Sequence, residues 1–286
     1  MERRVPVNNV VTYEPDNSTR RGYRFLLTEI VRDITNNRWL TYQLLRRDFL
    51  AAYKQTLIGT VWSVIIPVIS VGMFALLNRA GILVAGKTNA PYPIYAMLGV
   101  VFWQVFSTGV MASSNALVNA SSMIVKINCS KKSLVLASIG QSILSFVVQL
   151  ILVAILFVAY KITPHPSTVL VPLLILPIVI LVLALGFFLS LLNGIIRDVG
   201  NMLSVLLGFV MLLTPVFYVK PLTGVLAFVS KINPLYYMVS VPRDIVLTGT
   251  TVEWPGYIVS VCISAIGLVI SLLIFHLTET RVAERI

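Results

Sequence analysis

Apolar residues along this chain fall in long unbroken blocks, each about the length needed to cross a bilayer. The blocks cover residues 57–78, 93–112, 133–160, 169–193, 201–219 and 255–277. The first holds Gly59 and Pro67 but no charge, and a Pro164-His165-Pro166 turn separates the third from the fourth. A membrane barrel would show alternating segments of ~10 residues instead. The pattern predicts an all-α membrane protein with six transmembrane helices.

Two further patterns flank these blocks. Residues 1–21 read as a mobile cytosolic tail, and residues 22–56 as amphipathic cytosolic interface helices. Leu26, Leu27, Ile30, Val31 and Ile34 share one helical face. After Asn36-Asn37, Leu40, Leu44, Leu45 and Phe49 lie opposite Arg46, Arg47 and Lys54. A basic amphipathic segment of this kind suits the headgroup layer, the alternative being a helix packed on a soluble partner. Between the fifth and last spans, residues 220–254 hold two apolar runs, 221–230 and 232–242, joined at Asn233-Pro234. Helices of that length reach only ~15–17 Å against a hydrocarbon core of ~30 Å. They predict a re-entrant helical hairpin; the other reading is one broken span, which would give seven crossings.

Composition agrees with the pattern. Of 286 residues 57% are hydrophobic and 12% charged, and the mean hydropathy is +0.90. These values exclude soluble, disordered and collagen-like chains. The net charge of +11 could suggest nucleic acid, but ten of the 22 Lys and Arg residues precede Leu57 and most others flank apolar blocks. With six spans and a cytoplasmic N-terminus, 16 basic residues lie inside and 6 outside. A seventh crossing would move the basic C-terminus outward, so the bias favours six spans and both termini in the cytoplasm. Arg3 and Arg4 lead into polar residues, so no signal peptide is expected. Cys129 and Cys262 fit no metal spacing and read as unpaired.

Little in the chain carries chemistry. Gly81 to Thr88 matches the phosphate-loop pattern GxxxxGK[ST], but a working loop needs a strand before it and a helix after it. Here a span precedes it and Pro91 and Pro93 follow, so the match reads as coincidence. None of the six spans holds Asp, Glu, Lys or Arg in its interior, unlike ion-coupled carriers. His165 and His276 sit at span ends, and no carboxylate pair, nucleophile–base spacing or metal cluster is evident. The chain therefore reads as non-catalytic, with any energy for transport supplied by a partner. The sequons at Asn17 and Asn119 fall on the cytosolic side, where they mean nothing. Among 28 aromatics, Trp39, Tyr95 and Trp254 suit interfacial anchoring. Trp62, Phe102, Phe106 and Tyr218 are candidates to line a substrate path by stacking on sugar rings, with lipid or core contact as the alternative.

Five stretches in order resemble the ABC-2 type permeases that export polysaccharides. They are Arg47-Asp48-Phe49 with Tyr53-Lys54-Gln55-Thr56, Gly59, Trp62 and Pro67; Pro91-Tyr92-Pro93 with Gly99 and Phe102-Trp103; Asn119 through Lys126 with Ser130-Lys131-Lys132; Arg197-Asp198-Val199 leading to Leu213-Thr214-Pro215-Val216-Phe217-Tyr218; and Ile232-Asn233-Pro234-Leu235 with Arg243-Asp244. Cys129-Ser130 stands where the family usually has an aromatic and a proline, and the N-terminal tail is some 20 residues longer than the family core needs.

The resemblance implies the membrane subunit of an exporter for lipid-linked polysaccharide, such as O-antigen or teichoic acid, in the bacterial plasma membrane. It would be a homodimer bound to two copies of a separate ATP-binding cassette subunit, which would hold ATP and Mg; this chain would hold no cofactor. A permease for another amphiphile, and a non-transporting scaffold for glycan synthesis, are the alternatives. Within the resemblance, residues 121–132 form the coupling region, with Ser121, Lys126, Lys131 and Lys132 meeting the ATPase. From their charges alone, Arg46, Arg47, Asp48 and Lys54 are expected to form a cytosolic entrance for a lipid-borne phosphate, plain membrane anchoring being the alternative. On the hairpin reading, Asn233, Pro234, Tyr236 and Tyr237 would form an outer gate, the alternative being a peripheral cap lying flat on the outer surface.

Overall fold

The computed structural model describes residues 23–54, 59–81, 86, 88, 90–126, 129–219 and 223–283, with side chains for all of these except 23–25, 51–64, 125 and 280–283. The expected tail, residues 1–21, lies outside them. Among the described residues all regular structure is helical.

Two helices, α1 (Tyr23–Asn36) and α2 (Arg38–Lys54), precede the bundle. Asn37 joins them almost without a break: its amide donates to the Asp33 carboxylate at 2.7 Å and to the Asp33 carbonyl at 2.9 Å. Their apolar stripes face inward only in part. Leu26, Ile30 and Leu44 are buried, whereas Val31, Trp39 and Tyr42 face out. Gly140 lets α2 settle close, since a Cβ there would stand 2.9 Å from Leu45 Cγ.

The bundle follows as α3 (Gly59–Arg79), α4 (Tyr92–Ser114), the short α5 (Ala116–Asn119) and α6 (Ser121–Lys126), then α7 (Lys131–Ser138) and α8 (Gly140–Ala159). After a 3-10 turn, α9 (Val171–Leu174) and α10 (Leu176–Ile195) return; α11 (Asp198–Leu213), α12 (Val225–Ile232), α13 (Pro234–Leu247) and α14 (Trp254–Ala283) complete the order. Among the described residues four stretches are long and apolar enough to cross a membrane: Tyr92–Ser114, Lys131–Ala159, Pro166–Ile195 and Trp254–Glu279. Ile65–Arg79 and Asp198–Leu213 are shorter apolar helices. At 16 residues, α11 spans only ~24 Å, less than the ~30 Å core.

Helix α4 is the centre, packed on by α10, α8, α13, α3 and α11. Every residue from Ile94 to Trp103 is buried. Its crossing with α10 depends on small residues. A Cβ at Gly109 would lie 2.8 Å from Val182 Cγ1, and one at Gly186 would collide with the Ser113 side chain. In an apolar solvent helices associate through such close packing rather than through hydrophobic burial. Gly186→Ala is therefore expected to cost on the order of 1–3 kcal/mol by overpacking. A lowered midpoint of thermal unfolding in detergent would show it, and an unchanged midpoint would mean that the crossing is not tight.

The helix ends differ from the apolar runs at two points. The fifth block ends as helix at Leu213 rather than at residue 219, because Thr214 is held extended (φ −97, ψ 126) before Pro215. The second arm of the 220–254 segment is also longer than its apolar run: α13 has 14 residues and continues through Pro242 to Leu247. Asn233, at the junction between α12 and α13, caps α13, its side chain accepting from the Leu235 amide at 3.0 Å. The phosphate-loop match lies between helix α3 and the start of α4, with no strand before it among the described residues; residues 82–85 and 87 are outside them.

Candidate functional site

At the basic end of the bundle, the expected entrance and coupling residues are neighbours. Arg47 chelates Asp48, with Nε at 2.9 Å and Nη2 at 2.8 Å from Oδ1, while Nη1 reaches Met123 Sδ on α6 at 3.6 Å. Both side chains of the Arg47–Asp48 pair remain about half exposed. They border a cavity of about 190 Å³ lined also by Asn119, Ser138 and Gln141. Arg46 is exposed; the side chains of Lys54 and Trp62 lie outside the described residues.

The coupling residues divide. Lys126 is exposed at the end of α6, and Ser121 and Lys131 are partly buried. Lys132 is 1% exposed, which places it inside the chain and not on a docking surface. Its ammonium donates to Asp33 Oδ2 at 2.9 Å and to Glu279 Oε1 at 2.5 Å. His276 stands beside this pair, 3.7 Å from Glu29 and 3.5 Å from Glu279. Helices α1, α7 and α14 are thus tied by one buried cation, because a lysine taken out of water needs matching carboxylates.

A second cavity, about 420 Å³ and shallow, runs between α4 and α11. Its lining is Ser107, Thr108, Met111, Ala112, Asn115, Asn119, Ser204 and Leu207, without a charge. It shares Ala112 and Asn119 with the first cavity. On α4 the residues that are not buried beyond Trp103 fall in one stripe: Gln104, Ser107, Thr108, Met111 and Ala112. Gln104 is fixed from behind by Gln149 of α8, whose Nε2 donates to Gln104 Oε1 at 2.9 Å. At the basic end of the stripe Asn193 of α10 donates to Asn115 Oδ1 at 2.9 Å and accepts from the Gly200 amide at 3.1 Å, clamping α4, α10 and α11.

Phe102 and Phe106 do not line this path. They are 0% and 4% exposed, with Phe102 against Phe146 and Phe106 against Trp103. Both occupy the core face of α4, and the open face is polar.

The far end of α4 is closed by the chain that follows α11. Four successive carbonyls of this non-helical stretch find donors within the protein. Arg243 Nη1 donates to Pro215 and Val216, both at 3.2 Å; Tyr92 donates to Phe217 at 2.9 Å and Tyr95 to Tyr218 at 3.3 Å. The buried Arg243 guanidinium also lies 3.9 Å over the Tyr95 ring and donates to Ser240 at 3.2 Å. Irregular backbone at membrane depth persists only when covered and satisfied in this way. Gly99 makes room for it, since a Cβ there would collide with the Val216 carbonyl.

The four expected gate residues adjoin this closure. Asn233 Nδ2 donates to Thr214 Oγ1 at 2.9 Å, and Pro234 opens α13. Tyr236 is buried and donates to Glu253 at 2.7 Å. Burial first, then that hydrogen bond, pushes its phenol pKa up. Tyr237 donates to the Lys231 carbonyl at 2.9 Å, and Tyr218 bonds back to Leu212 at 2.8 Å. Burial also raises the Asp244 carboxyl, opposed by Arg243 and by the hydrogen bond from Thr251.

Several of these residues escape a reading of the sequence. Gln104 and Gln149 are visible there as amides within apolar blocks, which a search for full charges passes over. Nothing local marks Asp33, Glu279 or Arg243 as partners of distant elements.

Residues 40–247 match the family model for the ABC-2 type transporter. A Myxococcus xanthus protein named O-antigen export system permease protein RfbA is 27% identical over 193 residues, 67% of this chain and 73% of that protein. A Klebsiella pneumoniae protein of the same name is 23% identical over 244 residues, 83% of this chain and 91% of that protein. The family match begins within α2 and ends at the last residue of α13, so it takes in the Arg47–Asp48 pair, the α4 stripe and the closure held by Arg243. With that match over most of its length and apolar helices long enough to cross a bilayer, this chain is a membrane-integral member of the ABC-2 type transporter family.

Proposed function

We propose that the chain is the permease subunit of an exporter that carries lipid-linked polysaccharide from the cytoplasm across the bacterial plasma membrane. The observation that carries this reading is the pair of neighbouring cavities, which share Ala112 and Asn119. A charged cavity at Arg47–Asp48 adjoins an uncharged polar groove between α4 and α11. Such a path suits an amphiphile with a phosphate at one end and hydroxyls along the rest. The names of the two relatives point the same way.

In this reading both termini are cytoplasmic, as the basic residues favour, and the chain itself is non-catalytic. A separate ATP-binding cassette subunit hydrolyses ATP with Mg. Two permease chains pair around a two-fold axis, each with one such subunit, and the second chain completes the wall that the shallow groove leaves open.

Coupling passes through α6. Its exposed Lys126 meets the ATPase, and Arg47 leaning on Met123 conveys motion of α6 to the mouth. Lys126→Glu with Lys131→Glu is expected to lower export-linked ATP turnover by roughly tenfold, as charge reversal at a docking contact does. Normal turnover in that variant would remove α6 from the coupling surface.

Deletion of the gene tests the function itself. The reading predicts that polysaccharide disappears from the cell surface while its lipid-linked form accumulates inside. Loss of the lipid-linked form as well would indicate a scaffold for synthesis. Unchanged surface polysaccharide would direct attention to another amphiphile.

A further inference from the structure

Three features are candidates to hold more than that reading draws from them: the Lys132 cluster, the polar residues around Asp244 and Glu253, and the open stripe of α4. The Lys132 cluster is fully accounted for by ion pairing between elements. The second is an acidic group with internal hydrogen bonds. The α4 stripe carries more.

From Ile94 to Trp103 the helix is covered on all sides, and one face then opens at Gln104. That face descends through Ser107, Thr108, Met111 and Asn115, a helical repeat that keeps these side chains in one line. Ser204 of α11 lies across the cavity from them. Every polar group on this line is a neutral amide or hydroxyl, able both to donate and to accept. The positions are also supported from behind. Gln149, 0% exposed, orients Gln104, and Asn193, 2% exposed, orients Asn115. Amides anchored by buried amides are a built surface, not an accidental polar edge.

We infer that the Gln104–Ser107–Thr108–Asn115 stripe, with Ser204 opposite, is a binding track for uncharged sugar residues, and that it selects neutral glycans over acidic ones. This rests on the export reading above and adds a substrate class to it. Hydroxyl-rich rings exchange water for the amides and hydroxyls of the track at little cost. A repeating carboxylate would lose its hydration in a groove whose lining holds no cation, and an unpaired anion out of water is strongly penalised. The diphosphate of the lipid carrier does not meet this barrier, because Arg47 stands at the mouth and outside the track. The charged mouth and the neutral track thus divide recognition: one reads the carrier and the other reads the polymer.

The test uses the full permease with its ATPase subunit in vesicles and two probes on one polyprenyl diphosphate carrier. One probe is an oligosaccharide of neutral hexoses, and the other has a hexuronic acid in every repeat. The track predicts ATP-driven movement of the neutral glycan at least about tenfold faster, a difference of ~1.4 kcal/mol in the barrier. Ser107→Ala with Thr108→Val removes two hydroxyls with little change of volume. It should slow the neutral glycan several-fold while thermal stability and ATPase binding remain at wild-type levels. Equal rates for the two probes, or an unaltered neutral rate in the double variant, would overturn the track and leave the export reading standing. Movement of neither probe by the wild-type complex would end both.

Discussion

Lys132→Ala is expected to be among the most damaging single substitutions in this chain, costing about 3–5 kcal/mol, the usual consequence of breaking a buried ion pair from one side. Asp33 and Glu279 would be left facing each other without the ammonium that both now bind. Glu279 bears most of the cost, because its side chain is 15% exposed against 32% for Asp33, which can turn toward water. The loss should appear as a lowered unfolding midpoint in detergent and as weakened attachment of α1 to the bundle. Adding Glu279→Gln and Asp33→Asn to Lys132→Ala should recover much of the stability, since no uncompensated charge then remains. An alanine variant as stable as wild type would show that the cluster holds nothing together.

Arg243→Leu should have an effect of similar size at the other end. It removes the donors to the Pro215 and Val216 carbonyls and the cation over Tyr95. Leaving such buried acceptors unmade costs ~1–3 kcal/mol each. Arg243→Lys should not rescue it, because an ammonium lacks the planar fork that reaches two carbonyls and the Ser240 hydroxyl together. The functional result is an unsealed far end. A cysteine at Val101, buried in α4, should be silent to an impermeant thiol reagent from outside in the parent and reactive once Arg243 is replaced. Both proteins would lack Cys129 and Cys262. Silence in the Arg243→Leu variant would show that the closure does not depend on this residue.

Much of this architecture is legible in the sequence, for reasons that can be stated. A bilayer-length apolar block is a local property, so α4, α8, α10 and α14 lie where hydropathy puts them. Asn233-Pro234 is legible as a boundary because both residues act on their own backbone. The end of α11 is not, because residues 214–219 stay apolar; what changes there is the backbone, whose carbonyls are satisfied by Tyr92, Tyr95 and Arg243 from distant parts of the chain. Lys132 beside an apolar block looks like an anchoring charge. Its partners lie 99 and 147 positions away, beyond any local pattern. Phe102 and Phe106 do share a face, as their spacing requires. Periodicity identifies a face without saying what it meets, and only the packing of α8 and α10 shows that the aromatic face is core and the amide face open.

On the proposed function this chain forms a path for a lipid-linked glycan and relies on a separate ATPase to drive it. Vesicles holding the purified permease with its ATPase subunit, loaded with a neutral glycan on polyprenyl diphosphate, measure this directly through the fraction of glycan reachable by a hydrolase confined to the far side. The fraction should rise with ATP, and stay at background when the ATPase subunit is omitted or cannot hydrolyse. A fraction that rises equally without the ATPase subunit, or fails to rise with the complete complex and ATP, would rule out an ATPase-driven path through this chain.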